Sequence, residues 1–273
     1  MAFPVIGAIA PALAISQLSE AASRLGVAIK ASNEKFSADQ LIEFGKDCRL
    51  ICVEPSMVSQ GAIKVAEQSG AVIYPSSKVL AAISTIEISK EKSEQLIILA
   101  ARSAHAQHAI WPISLQSKDL LISPAPGVTE EQAVTIAISA LNLIEELGLT
   151  GGIELIVDAD DYQKLKGVNW LNPKSSFVTE INSNTNYFEQ YLRAVLDLPL
   201  GESNSNDKYA VTGLLHTDPS SDDYRPYLHL MARNSRLKFD QRLRIVGVTG
   251  DSLETLLTEI IHAQQYYSGE IED

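Results

Sequence analysis

The chain has 273 residues, 45% of them hydrophobic and 21% charged, a composition typical of one large or two small folded domains. Its 22 basic and 34 acidic residues give a net charge of −12, which argues against nucleic acid or an anionic membrane as a partner. Cys48 and Cys52 are too far apart on one strand to bridge easily, and no zinc pattern surrounds them. Two unpaired thiols fit a cytoplasmic protein.

The N-terminal segment contains no charge, which raises the question of a signal peptide or a membrane span. It lacks the basic start of a signal peptide, and Pro4, Pro11, Ser16 and Gln17 interrupt its apolar run. A buried strand followed by a helix explains the segment better.

Residues 1–80 alternate short apolar runs with helical patterns, which is typical of a parallel sheet with helices on its faces. The predicted strands are Val5–Ile9, Val27–Lys30, Leu50–Val53 and Ala71–Tyr74, and the predicted helices are Ala12–Leu25 and Val58–Ser69. These residues form the first predicted domain. The polar, charged stretch over 81–93 then predicts a linker or a small helix.

Residues 94–273 form the second predicted domain, with further strands and two capped helices. The predicted strands are Glu94–Ser103, His108–Ile113, Gly152–Asp158 and Arg244–Thr249. Capping boxes at Thr129/Gln132 and Asp251/Glu254 predict a helix over 130–147 and a final amphipathic helix. On the first of these helices, Val134, Ile138, Leu141 and Ile144 fall on one side. The segments 202–209 and 217–225 are predicted loops.

One further helix is predicted within Asn186–Gly201, which reads NYFEQYLRAVLDLPLG. Phe188, Leu192, Val195 and Leu196 lie on one side of it, and a Leu-Pro-Leu-Gly turn ends it. The segment resembles the SQFEQHLRAVLGLPLG-like helix of N5-carboxyaminoimidazole ribonucleotide synthases, the PurK-type enzymes of the ATP-grasp superfamily.

Four other blocks resemble the same family in the same order, so that the resemblance covers most of the chain. They are VIGAIAPALAISQLSEAASRLGV, CRLICVEPSMV (similar to CDVVTYEFENV), LAARSAHAQHAIWPI (similar to IVARSADGEVAVYPV), and SPAPGVTEEQ with GGIELIV (similar to SPAPV and GVEMFV). Tyr227–Ser252 is a weaker match to the family's closing hairpin. The resemblance implies an α/β fold: a Rossmann-like pre-ATP-grasp domain followed by a reduced ATP-grasp C domain.

Two parts that handle nucleotides in that family differ in this chain. The family's Gly-rich first loop lets backbone N–H groups approach a phosphate, whereas Ala10-Pro11-Ala12 stands here and predicts an ordinary strand-to-helix turn. The family also inserts a subdomain, the ATP lid, between the first domain and the ARSA strand. Only the linker over 81–93 occupies that place here, so the resemblance predicts that the lid is missing.

The metal site of the family is represented by one carboxylate. Glu154 matches the first magnesium ligand, but Trp170 stands where the second carboxylate belongs. Asn172 offers one neutral oxygen, and Lys174 replaces an arginine of the family motif. Glu154 and Asn172 are therefore predicted as a vestigial metal site, with a solvent-facing strand residue as the alternative for Glu154.

Positive charge is concentrated near the end of the chain, where the family grips a substrate phosphate. Arg236, Lys238, Arg242 and Arg244 are candidate anion-binding residues together with Lys174. The alternative is the solvated face of a β-hairpin. No other catalytic pattern is present, because the five histidines have no metal spacing and no Walker loop or nucleophile elbow occurs.

Three hypotheses for function follow. The first is a PurK-like protein, most simply a homodimer, that has lost ATP-dependent ligation, needs no cofactor, and binds another protein or a small phosphorylated ligand. The second is a minimal active synthase in purine biosynthesis that uses ATP and magnesium. The third is a ribonucleotide sensor that uses Arg236–Arg244 without ATP.

Overall fold

The computed structural model describes residues 4–90, 93–216 and 225–271, and its first unit alternates strands and helices. The elements of this unit are β1 (Val5–Ile9), α1 (Ala12–Arg24), β2 (Ala28–Ser32), α2 (Ala38–Gly45), β3 (Leu50–Val53), α3 (Gln60–Gln68), β4 (Ile73–Tyr74) and α4 (Ser77–Ser84). The strands form a parallel sheet in the order β2-β1-β3-β4. The Rossmann-like arrangement predicted for the N-terminal part is confirmed.

The second unit is built on a larger sheet of nine strands with helices packed on it. Its elements are β5 (Gln95–Arg102), β6 (His108–Ile110), β7 (Ser114–Ser117), β8 (Leu120–Ser123), α5 (Glu130–Glu146), β9 (Gly151–Asp158), β10 (Leu165–Asn169), α6 (Pro173–Asn182), α7 (Tyr187–Val195), β11 (Tyr209–Leu214), α8 (Arg225–Arg233), β12 (Lys238–Asp240), β13 (Ile245–Gly250) and α9 (Leu253–Ser268). The strand order is β10-β9-β5-β7-β8-β11-β13-β12, with β6 also paired to β5. Neighbouring strands are antiparallel throughout.

Helix α7 joins the two units, and it lies where the sequence predicts it. Asn186 caps its start by accepting the Glu189 N–H at 2.9 Å. The Tyr187 hydroxyl donates to the backbone carbonyl of Trp170, and the Tyr191 hydroxyl donates to the Tyr74 carbonyl of the first sheet at 3.3 Å. The predicted apolar side of the helix is buried, and the two tyrosines extend that burial.

Glycines on β9 make room for this helix. A Cβ atom at Gly152 would lie 2.9 Å from the Tyr187 ring, and one at Gly151 would lie 3.2 Å from the Tyr191 ring. Gly151 also has a backbone φ of +119°, a value that residues with a side chain rarely adopt. The Gly-Gly pair therefore lets the helix approach the strand directly.

The connection between the units is short. Helix α4 ends at Ser84, four residues into the stretch predicted as a linker, and β5 begins at Gln95. The Ser89 N–H donates to the Leu165 carbonyl at 2.8 Å. Ser93 donates to Asp158, whose carboxylate also lies 3.2 Å from the buried Lys166 ammonium. These bonds fasten the connection to β9 and β10.

Both cysteines are free, in agreement with the sequence prediction. Cys52 is fully buried on β3, and Cys48 is half-buried just before that strand. Burial raises the pKa of Cys52 to about 12, so its thiol stays protonated near neutral pH.

The predicted face of α5 is wrong in part. Ile144 is buried, but Val134 and Ile138 are 54% and 53% exposed, while Ile136 and Ala140 pack inward. The helix carries two adjacent apolar stripes, and contact with β5 selects the stripe that contains Ile136. The capping box at Thr129 and Gln132 is confirmed.

Three predictions near the C-terminus need correction. The last helix is capped by Ser252, which accepts the Thr255 N–H, so the Asp251/Glu254 box is wrong. The region expected to be a hairpin from Tyr227 begins with α8, and only β12 and β13 form a hairpin. The loop predicted over 217–225 lies outside the described residues except for its last position, which starts α8.

Among the residues that the structure describes, no helix combines the length and the apolar character needed to cross a membrane.

We predict that Gly152→Ala destabilises the protein by about 1–3 kcal/mol, because the new methyl group would force Tyr187 away from β9. Chemical denaturation monitored by tyrosine and tryptophan fluorescence measures the effect. Gly61→Ala on α3 is the matched control, since nothing lies within 4 Å of the added Cβ there. Equal stability of the two variants would contradict this account of the contact.

Candidate functional site

The candidate site is built where β9, β10 and α6 meet. Glu154 lies in the middle of β9, directly opposite Asn169 at the end of β10. The chain then turns into α6, whose N-cap is Asn172 and whose first turn contains Ser175. Pro173 at the first helical position favours this helix start, and the turn brings three polar side chains to one carboxylate.

Glu154 is a buried carboxylate that is held by neutral donors. It is 2% exposed. Asn169 Nδ2 donates to its Oε1 at 2.8 Å, Asn172 Nδ2 donates to the same oxygen at 3.3 Å, and the Ser175 hydroxyl donates to Oε2. Burial raises the pKa of Glu154, while the three hydrogen bonds act in the opposite direction. The alternative of a solvent-facing strand residue is therefore wrong.

A cavity of about 330 Å³ opens beside Glu154 on the face of the large sheet. Lys174 lines it, as does Asp119, whose carboxylate lies 2.8 Å from His216 Nε2. The other residues around it are Gln95, Ile97, Gln116, Leu121, Ile156, Asn169, Asn172, Ser175, Thr212, Leu214 and Ile245. The cavity thus combines neutral amides, two hydroxyls and aliphatic side chains with one lysine and two carboxylates.

Within this hydrogen-bonded cluster, Glu154 supplies the one carboxylate that a magnesium ion would use. Both oxygens of Glu154 already accept hydrogen bonds, and Asn172 Oδ1 caps α6 by accepting the Lys174 N–H at 3.2 Å. The described residues contain no group of three or more His, Cys, Asp or Glu side chains that could hold a metal. Magnesium in proteins is commonly held by one or two carboxylates together with waters and substrate phosphates, so Glu154 offers one such ligand and the others would have to come from outside this cluster.

Trp170 does not enter the Glu154 cavity. It is 5% exposed and belongs to the main hydrophobic core, which includes residues of both units. The nearby loop borders a second cavity of about 380 Å³, together with Pro11, Glu54 and Ser56 at the carboxyl ends of β1 and β3. Trp170 itself also lines this second cavity.

On the side of the first sheet, this second cavity combines the start of α1 with a carboxylate. Pro11 is the N-cap of α1 and makes no side-chain capping bond, and it has no N–H to donate. Glu54 adds a negative charge, and its carboxylate accepts the Ser56 N–H at 2.8 Å. The helix begins directly after Pro11, in line with the predicted strand-to-helix turn.

The predicted anion-binding residues are separated in space. Lys174 lines the Glu154 cavity, whereas Lys238 lines a groove beside α8. Arg242 is paired with Asp240 at 3.0 Å and also donates to Ser16 of α1. Arg236 reaches the Thr249 carbonyl at 3.4 Å. Arg244 lies between β12 and β13 with a φ of +53°. Anion binding by this set stays a prediction.

Several residues around the cavity escaped the sequence analysis. Asn169 directly precedes Trp170, and Ser175 follows it by five residues. No recognisable sequence pattern predicts that these two side chains donate hydrogen bonds to Glu154. Asp119 and Thr212 lie far from that motif in sequence, on a turn before β8 and on β11. Strand alternation could have placed Thr212 on the Glu154 face only if the order of the sheet had been known.

Comparison with known sequences finds relatives that are named N5-carboxyaminoimidazole ribonucleotide synthase. The chain is 36% identical over 118 residues to N5-carboxyaminoimidazole ribonucleotide synthase from Mycobacterium tuberculosis, a match that covers 41% of this chain and 28% of the relative. The enzyme of the same name from Corynebacterium ammoniagenes is 32% identical over 124 residues, covering 41% and 30%. The match thus spans under a third of each relative's length. No family model matches the chain.

Solved structures agree on the fold. N5-carboxyaminoimidazole ribonucleotide synthetase from Thermotoga maritima superposes with a TM-score of 0.79 at 16% identity, covering 97% of this chain and 98% of that one. The resemblance to PurK-type synthases is confirmed. The synthase from Aspergillus clavatus in complex with ADP and 5-aminoimidazole ribonucleotide superposes with a TM-score of 0.72 at 13% identity, covering 98% and 99%. The predicted PurK-like α/β fold is therefore confirmed as well.

We predict that Glu154→Gln stabilises the protein relative to the parent more at neutral pH than at acidic pH. Burial raises the pKa of Glu154 above its ordinary value of 4.5, so ionisation costs folding free energy. That cost is absent below the unfolded-state pKa and complete above the folded-state pKa. A glutamine never ionises. The melting temperature of Glu154→Gln minus that of the parent should therefore increase from about pH 4 to about pH 8.

Thermal melts of both proteins across that pH range measure the difference. Glu131→Gln on the exposed side of α5 reports the general effect of removing one carboxylate. A difference for Glu154→Gln that stays constant with pH would contradict the buried, destabilised carboxylate.

Proposed function

We propose that this chain is a PurK-like protein that has lost ATP-dependent ligation and binds a small ligand without magnesium and ATP. The observation that carries the proposal is the state of Glu154. Its two oxygens accept hydrogen bonds from three neutral donors, and the residue that the family resemblance aligns with the second metal carboxylate is the buried Trp170.

The short connection between the two units supports the same proposal. Helix α4 ends at Ser84 and β5 begins at Gln95, which leaves room for ten residues where the family resemblance implies an ATP lid. Phosphoryl transfer depends on cations that neutralise a polyphosphate. Lys174 is the one Lys or Arg among the residues that line the Glu154 cavity, and two carboxylates face it there.

For partners, we propose a homodimer or another protein contact through the exposed stripe of α5. Val134 and Ile138 are each more than half exposed, whereas Leu141 one turn later is partly buried against the main core, so the exposed stripe ends there. The stripe is small, so the contact would be a weak or partial one unless neighbouring surfaces join it.

The second candidate is an active synthase of purine biosynthesis. Its support comes from the relatives, since those matched in sequence carry the name N5-carboxyaminoimidazole ribonucleotide synthase, and one structural neighbour is a complex with ADP and 5-aminoimidazole ribonucleotide. This candidate requires that the lid and the second carboxylate be replaced from elsewhere.

Calorimetric titration with Mg-ATP separates the two candidates. We expect no saturable binding in the micromolar range, and no release of phosphate when bicarbonate and 5-aminoimidazole ribonucleotide are added. Saturable binding that Glu154→Ala abolishes would sink the proposal and support the synthase. Glu154→Gln is titrated alongside, because an alanine would leave three donors unpaired and could weaken the fold.

A further inference from the structure

The Glu154 cavity contains a polar group that the protein itself leaves unused. Thr212 lies on β11, lines the cavity and is only 2% exposed. Its hydroxyl has no hydrogen-bond partner among the residues that the structure describes. Its oxygen is not among the fully buried polar atoms that lack a partner, so it is open to the cavity, where a ligand can hydrogen-bond it.

Two opposite charges lie at the same cavity. Lys174 is exposed at the start of α6, and no ion pair joins it to an acidic residue within the described chain. Asp119 contacts His216 and retains 45% exposure of its side chain. A molecule in the cavity therefore meets a cation together with a helix N-terminus, and also a carboxylate.

The remaining surface of the cavity is aliphatic or carries neutral amides. Strands β5, β8, β9, β11 and β13 each contribute one aliphatic side chain: Ile97, Leu121, Ile156, Leu214 and Ile245. The volume of about 330 Å³ lies at the lower end of the range of about 300–1,000 Å³ for ligand pockets. The occupant is accordingly a small molecule with an apolar body.

We propose that this cavity binds a free α-amino acid with an aliphatic side chain. The carboxylate pairs with Lys174 at the start of α6, the ammonium group pairs with Asp119, and the side chain packs on the aliphatic wall. The Thr212 hydroxyl forms a hydrogen bond with the ligand inside the cavity. This inference rests on the proposed function, because it gives the class of the ligand that is bound without ATP.

Other ligand classes fit the same surface less well. A polyphosphate would meet Glu154 and Asp119 with a single lysine to offset them. A simple cation would lie close to the positive charge of Lys174, and a purely apolar molecule would cover Lys174 without offering it a partner. A zwitterion satisfies both charges at once.

Calorimetry with L-leucine and two matched analogues tests the proposal on the whole chain. 4-Methylpentanoate lacks the ammonium group, and 3-methylbutylamine lacks the carboxylate. We expect L-leucine to bind and each analogue to bind at least tenfold more weakly. Glycine, which keeps both charges but lacks the apolar body, should also bind at least tenfold more weakly.

Variants then locate the site. Lys174→Met and Asp119→Asn should each weaken L-leucine binding at least tenfold, and Thr212→Val should weaken it about threefold to tenfold. Lys208→Met is the matched control and should bind as the parent does, since Lys208 stacks on Tyr209 and does not line the cavity. Thermal melts of every variant verify that it is folded.

The outcomes separate this inference from the proposed function. The amino-acid site is overturned if L-leucine, valine and isoleucine all fail to bind. It is also overturned if they bind but the cavity variants leave their affinity unchanged. Analogues that bind as tightly as L-leucine also overturn it. In each of these cases the proposed function stands if Mg-ATP fails to bind, whereas saturable Mg-ATP binding in a parallel titration defeats the proposed function itself.

Discussion

The packing of Tyr187 against Gly152 is the contact on which the rest of the structure depends. It brings α7 directly onto β9, and the same tyrosine holds the backbone of Trp170 at the end of β10. From the next turn of the helix, Tyr191 reaches the carbonyl of Tyr74 in the first sheet. One short helix thereby fixes the larger sheet, the loop before α6 and the Rossmann-like unit relative to one another.

The geometry of the site follows from that contact. Gly152, Glu154 and Ile156 lie on one face of β9, because side chains alternate along a strand. Tyr187 covers the Gly152 end of this face, and α6 covers the Glu154 position, so the carboxylate is removed from water. A carboxylate in such a place needs either a cation or several donors. The amides of Asn169 and Asn172 and the hydroxyl of Ser175 fill this need.

The sequence predicts those parts of the fold in which local signals and burial coincide. The apolar runs of β1 and β3, the capping box of α5 and the amphipathic pattern of α7 each identify an element at nearly its observed bounds. Helix α2 lies outside the predicted elements although Ser37 and Gln40 form a capping box, because its apolar pattern extends over only two turns. The Glu154 motif was recognisable by resemblance, whereas Asp119 and Thr212 reach the cavity through strand order alone, which no local pattern reveals.

The burial of Trp170 also limits which substitutions the protein tolerates at this position. A carboxylate at position 170, where the family resemblance places the second magnesium ligand, would replace a large apolar side chain that is 5% exposed. An unpaired charge buried there would be strongly destabilising unless a cation or several hydrogen-bond donors accompanied it. The buried indole and a second carboxylate are therefore alternatives at this position, and the apolar surroundings of Trp170 favour the indole.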